Sequence, residues 1–299
     1  IAMRVYESQV KKLNANPDDK NDVIMSENKL QELGFVYFLE NLTVEQQNKI
    51  MNSPVNYFIP WRSVWNMNSV STNCRLVFDA SQTTSAGVSL NCLLAKGRNN
   101  LNKLVQLCIR WQVRRHAFHT DIRKMYNTIR LDENDWCYQL YLWEKDLSLE
   151  SEPMVKVIKT LIYGVKSSGN QAERGIRQTG NLMKKDYPRQ NDMIHNDIYV
   201  DDCMSGEDSY DAVCESTDAL KLVLNKGGFD LKGFTFSGFD PPEHLSNADK
   251  SINVGGLKWY PKLDLLSLNI GELNFSKKNR GRKVPLVEGL IPEKFTRRD

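Results

Sequence analysis

Residues 195–206, HNDIYVDDCMSG, set two adjacent carboxylates, Asp201 and Asp202, directly behind an apolar Tyr-Val pair in what otherwise reads as a buried strand. Successive side chains of a strand point to opposite faces, so an uninterrupted strand could not turn both acids toward one ligand. Both reach one site only if the Asp-Asp step lies on a tight turn. Ser205-Gly206 is the expected point at which the second strand of such a hairpin departs. Like charges this close repel and raise one pKa. A divalent cation removes that problem, and Mg²⁺ favours one or two carboxylates together with phosphate oxygens and water. The dipeptide alone constrains little, because Asp18-Asp19 recurs in NANPDDK, which reads as a loop.

HAFHTDIRKMY offers a third carboxylate. Asp121 ends an apolar β-like run and stands between Arg114, Arg115, Arg123 and Lys124. One acid within so much positive charge suits a metal-and-phosphate site; an Asp that N-caps the helical turn IRKMY accounts for it equally well. Two metal ions about 4 Å apart on three aspartates would activate a 3′-hydroxyl and stabilise a leaving pyrophosphate. Phosphoryl transfer of that kind needs little from a protein beyond positioning and charge.

The rest of the chain supplies a frame for such a site. Residues 1–53 read as helical and lightly packed: SENKLQELGFVYFLENL has helical spacing, and Thr43 with Gln46 forms a capping-box pattern. Pro54 and Pro60 bracket a change to short β-like runs, CRLVFDA, HAFHTDI, WCYQLYLW, VKVIKTLIYG, DIYVDDCM and LKGFTFSG. Helical patterns at 100–114, 169–186 and 209–226 lie between them. Strands interleaved with helices predict an α/β or α+β domain.

Composition excludes some classes. No apolar run approaches the about 20 residues that span a bilayer, and IAMRVYESQVKK has no signal-peptide core, so an intracellular location is expected. Six scattered cysteines, with no C-x-x-C pair, argue for reduced thiols rather than a disulfide framework or zinc site. The net charge is only +3, but 91–124 holds eight Lys or Arg against one acid, and SKKNRGRK holds five basic residues in eight. Such runs suit a polyanionic partner, or simply a solvated face.

Read together, Asp121 with Tyr126, the Gly-centred LIYGVKSSG, YVDD, GGFDLKGFTFSG and VGGLKWYP resemble the ordered motif series of reverse transcriptases. The wording of CRLVFDAS, SLNCLLAKG, YVDDCMSG and GGFDLKGF is most similar to the BEL/Pao class of long-terminal-repeat retrotransposons, over about residues 54–298. The resemblance implies an RNA-directed DNA polymerase with a right-hand α+β fold of fingers and palm, the palm an antiparallel sheet backed by helices. It implies Mg²⁺ or Mn²⁺, two ions, on Asp121, Asp201, Asp202 and the carbonyl of Ile122. Deoxynucleoside triphosphates and a primer on an RNA or DNA template would be the substrates, in a cytoplasmic virus-like particle or the nucleus. Tyr126 matches the aromatic gate against a ribose 2′-hydroxyl, and Arg75 a fingers arginine on the triphosphate, where a guanidinium suits bidentate contact. Tyr163 stands where many retroviral relatives carry glutamine, and Gly169-Asn170 where many carry proline. Lys232 resembles a lysine proposed to protonate departing pyrophosphate, but a solvent-exposed turn lysine is the preferred reading. Trp259 resembles part of a primer-gripping hairpin, with a buried tryptophan as the alternative.

The expected division is a helical lead over 1–53, fingers and palm over 54–260, and a basic, incomplete thumb or connection over 261–299. Region 91–124 is the candidate basic wall for template and primer, held by salt-dependent phosphate contacts. No motif resembles protease, ribonuclease H or integrase, the further polyprotein parts the family implies, so the chain reads as a polyprotein piece, a truncated gene model or a degenerating element copy. A catalytically inactive nucleic-acid-binding relic of the same fold is the main alternative. A two-metal nucleotide cyclase is a weaker one, which leaves the basic stretches without a role.

Overall fold

The protein is described by a computed structural model over residues 1–65, 74–246, 252–254, 257–268 and 295–296. It forms two compact units, Ile1–Asn100 with Lys124–Gly175, and Leu101–Arg123 with Ile176–Asp299. The chain begins with α1 (Ala2–Asn14), α2 (Pro17–Glu32), β1 (Val36–Phe38), α3 (Val44–Met51), β2 (Trp61–Trp65), β3 (Cys74–Phe78) and α4 (Leu90–Leu93). It enters the second unit for α5 (Leu104–Val113) and β4 (His116–Ile122), and returns for α6 (Met125–Thr128), β5 (Leu140–Trp143) and β6 (Met154–Ile158). The boundary is crossed again within α7 (Ser168–Met183). Then follow α8 (Pro188–Asn196), β7 (Ile198–Tyr199), β8 (Asp202–Glu207), α9 (Tyr210–Lys226), β9 (Leu231–Phe236), β10 (Ile252–Val254), β11 (Leu257–Tyr260), β12 (Leu265–Leu268) and β13 (Phe295–Thr296).

The class is mixed α+β, with every pair of these strands antiparallel. The first unit holds the sheet β1-β6-β5 and the hairpin β2-β3; the second holds β7-β8-β4-β9 and β10-β11-β12-β13. Among the described residues no helix is long and apolar enough to cross a membrane.

The division differs from the breaks expected after residues 53 and 260, because the chain passes through each unit twice. The N-terminal stretch is also better packed than its sequence suggests. Tyr6, Val10, Leu13 and Val23 join Val36, Phe38, Trp61, Phe78, Tyr141, Trp143 and Ile158 in one core. Each such side chain contributes about 1.5–3 kcal/mol when buried. Lys156, 1% exposed, crosses this core to pair with Glu27, which also accepts from Tyr141 Oη at 2.7 Å.

The capping box at α3 forms, with Thr43 and Gln46 each closing on the other's backbone. Asp18 and Asp19 sit not in a loop but in the first turn of α2, behind the Asn16 cap and Pro17, where the helix dipole favours acids. The apolar run after Gly34 is the strand β1 rather than more helix, since Gly34 takes the left-handed φ of +70° and ends α2. The segment SKKNRGRK and most of the expected thumb lie outside the described residues.

Candidate active site

Strand β4 turns Ala117, His119 and Asp121 to one face and Phe118, Thr120 and Ile122 to the other. Ala117 and Met204 pack with Leu107 and Trp111 of α5 and with Trp259, so the sheet is covered over part of the first face. Helices α8 and α9 pack on the same sheet. The acids occupy the end of that first face where β4 meets the β7–β8 hairpin.

The hairpin confirms that the Asp-Asp step needs a turn. Tyr199 pairs with Asp202, which leaves Val200 and Asp201 as a two-residue connection. Val200 takes a left-handed φ of +58°, an outlier for a β-branched residue that costs on the order of 1–3 kcal/mol. The carbonyl of Asp201 accepts the amide of Ile122 at 2.8 Å, tying the tip to the end of β4. Ser205-Gly206 is not the exit of the turn, as expected from sequence, but the interior of β8 opposite Phe118 and Ala117. A Cβ on Gly206 would stand 2.5 Å from the carbonyl of His116, which accounts for the glycine.

Asp202 lies directly opposite Asp121 on the β4–β8 ladder, so the two share a face. Burial first, and then the charges of Asp121 and Asp202, push the Asp201 pKa up to about 6. Burial also raises that of Asp121, and Lys232 opposes the shift.

Lys232 reaches this face through a bulge. Thr120 pairs with Phe234 and Ile122 with Leu231, so Lys232 and Gly233 together stand opposite Asp121. Gly233 takes φ +115°, and a Cβ there would meet the carbonyl of Ser246 at 2.7 Å. Thr120 Oγ1 donates to the Gly233 carbonyl at 2.7 Å and secures the bulge. Lys232 Nζ then lies 2.9 Å from Asp121 Oδ2. It is therefore a strand residue on the acidic site, not a turn lysine.

Asp121 is no helix cap: α6 starts behind Lys124, which has no side-chain capping bond. The structure brings Asp121, Asp201, Asp202 and Lys232 together and adds His119, whose Nε2 lies 2.9 Å from Asp202 Oδ1. His119 is two strand residues before Asp121, and alternation alone puts it on the acidic face.

The other expected site residues fall elsewhere. Tyr126, on α6, and Tyr163 meet in the first unit in a tilted ring contact, centroids 4.2 Å apart and planes inclined at 46°. A Cβ on Gly169 would lie 3.6 Å from Tyr126 Oη. Arg75 is exposed on β3, opposite Val64, in a hairpin whose tip lies outside the described residues. Burial lowers the Lys124 pKa, and the charges of Lys29 and Arg75 lower it further. Trp259 is 1% exposed, edge-on to Trp111 at 4.7 Å, and donates Nε1–H to Asp264. It is a packing residue of the β11–β12 hairpin rather than a surface contact.

The basic stretch 91–124 is split between the units and is less positive than its count. Arg110 pairs with Asp197, Arg114 with Asp208 and Arg123 with Asp230.

Three carboxylates are hard oxygen donors of the kind that Mg²⁺ and Mn²⁺ take, and their mutual repulsion is what a cation relieves. Among the described residues, no group of three or more His, Cys, Asp or Glu is arranged to hold a metal ion. Here Lys232 engages Asp121 and His119 engages Asp202 instead. No protein-family model and no curated protein matches the chain.

Proposed function

We propose that the chain is the RNA-directed DNA polymerase core of a BEL/Pao-like retrotransposon, a nucleotidyltransferase with fingers and palm. The observation that carries the reading is the pairing of Asp121 with Asp202 beside a two-residue hairpin tip bearing Asp201, on an antiparallel sheet packed by helices. Asp121, Asp201 and Asp202, with the Ile122 carbonyl, would hold two Mg²⁺ or Mn²⁺ ions. Such ions supply activation of a primer 3′-hydroxyl and charge neutralisation on pyrophosphate. Lys232, released from Asp121, would give a proton to the departing pyrophosphate. Arg75 would grip the triphosphate, Tyr126 would exclude a 2′-hydroxyl, and Tyr163 would support Tyr126 through their tilted ring contact.

The test is primer extension on poly-rA/oligo-dT with Mg²⁺ and then Mn²⁺, beside Asp201→Asn/Asp202→Asn. Incorporation by the unaltered chain alone is the expected result. The Lys232–Asp121 bond favours a second reading, a nucleic-acid-binding relic whose site is closed by its own lysine. Salt-dependent hybrid binding without incorporation in either metal would select it.

A further inference from the structure

We propose that the outer face of α5 is an interface between two copies of this chain, paired antiparallel about a two-fold axis at Ile109. The proposal is independent of the chemistry assigned to the acids. The inner face of α5 sinks Leu107 and Trp111 into a core shared with Ala117, Met204 and Trp259. Its outer face is apolar too: Val105, Ile109 and Val113 are 72%, 57% and 75% exposed at i, i+4, i+8 spacing, on one side of the helix. Among the described residues no other helix exposes more than two large apolar side chains. Single exposed apolar residues are ordinary, but a helix apolar on both faces is normally covered on both.

The order of the exposed residues identifies the cover. At about 100° per residue, Val105, Gln106, Gln112 and Val113 lie within about 60° of Ile109 around the helix, and all five are exposed. From either end this set reads Val-Gln-Ile-Gln-Val. Turned end for end about Ile109, the stripe therefore matches itself, which is what a two-fold interface requires of one surface patch. Antiparallel pairing sets Ile109 against the second copy's Ile109 and Val105 level with its Val113, with Gln106 and Gln112 at the rims. Charge permits the approach. The stripe carries none, and Arg110 on its flank is engaged by Asp197 Oδ1 at 3.2 Å, so no bare like-charge pair meets at the centre. Helix α5 has 10 residues and is about 15 Å long, and one such helix pair buries less than the about 1,200 Å² of a stable complex. The dimer is accordingly weak, with a dissociation constant between about 1 µM and 1 mM.

The test is sedimentation velocity of the full chain under reducing conditions, from about 1 to about 500 µM. The 34.4 kDa monomer should give way to a dimer as concentration rises. Ile109→Glu, which sets like charges on the axis and keeps a good helix former, should weaken dimerisation at least about tenfold. A second arm reads the geometry by diamide oxidation, in a background with Cys92, Cys108 and Cys214 changed to Ser. Helix axes about 8–10 Å apart bring residues on the two-fold within disulfide reach, so Ile109→Cys should form a covalent dimer. Val105→Cys should not link to itself, because four residues from the axis its two copies stand about 12 Å apart along the helix. It should link to Val113→Cys when the two variants are mixed. A chain that stays monomeric throughout leaves the stripe to another partner and overturns the proposal. So does a dimer that Ile109→Glu does not weaken, a failure of Ile109→Cys to cross-link, or self-linking by Val105→Cys.

Discussion

Asp201→Asn should stabilise the metal-free protein. Its carboxyl is raised from an ordinary 3.8 to about 6 by burial and by the charges of Asp121 and Asp202. A folded pKa above the unfolded one means that the native state holds the proton more tightly. Stability is therefore greatest below about pH 3.8, falls as pH rises through the window to about 6, and stays reduced at neutral pH. At 1.36 kcal/mol per unit the ionised group costs at most about 3 kcal/mol. Asp201 is partly open to solvent, and screening reduces this to about 1–2 kcal/mol. Asparagine carries no charge and should recover that amount, a melting temperature about 2–6 °C higher at pH 7.5 in EDTA. The measurement is thermal unfolding by circular dichroism at pH 7.5 and pH 4, native against variant. The gain should shrink toward pH 4, where native Asp201 is itself protonated. A variant no more stable than native at pH 7.5, or a gain undiminished at pH 4, would refute the electrostatic account. Mn²⁺ should stabilise the native chain and not the variant.

Two further changes probe the scaffold. Glu144 accepts from Tyr6 Oη, and, against the upward push of burial, the Leu149 amide, the Ser151 and Ser148 hydroxyls and the Ser151 amide hold its pKa down to about 2. Glu144→Gln should cost about 1–3 kcal/mol in urea unfolding at pH 7, because a neutral amide cannot accept so many donors. Since the folded pKa is depressed, the carboxylate's contribution is complete above about pH 4.5 and is lost as pH falls toward 2, so the native–variant gap should close there. Gly233→Ala forces a Cβ against the Ser246 carbonyl at a φ that L residues avoid, and should cost more than about 1 kcal/mol. Because the bulge aims Lys232, the same variant should lower primer extension more than its melting temperature explains.

Much of the local structure was legible because it depends on neighbours along the chain. The patterns at 100–114, 169–186 and 209–226 became α5, α7 and α9, with ends shifted by up to four residues, and HAFHTDI and LKGFTFSG became β4 and β9. WCYQLYLW was only half right: its first residues close a tight 3-10 turn, and β5 begins at Leu140. The basic count over 91–124 misled because the acids that neutralise Arg110, Arg114 and Arg123 lie 87 to 107 residues away, where no window sees them.

By itself the sequence determined that Asp201 and Asp202 need a turn, because the two-residue period of a strand is a property of the backbone. For Asp121 it left a helix cap and a site acid equally open. Only the tertiary structure decided which groups face them. A bulge one residue long turned Lys232 onto Asp121, register with β8 placed Asp202 across from Asp121, and the same register delivered His119 to Asp202. Register depends on contacts between strands more than 80 residues apart, and a shift of one residue would send every one of these side chains to the opposite face.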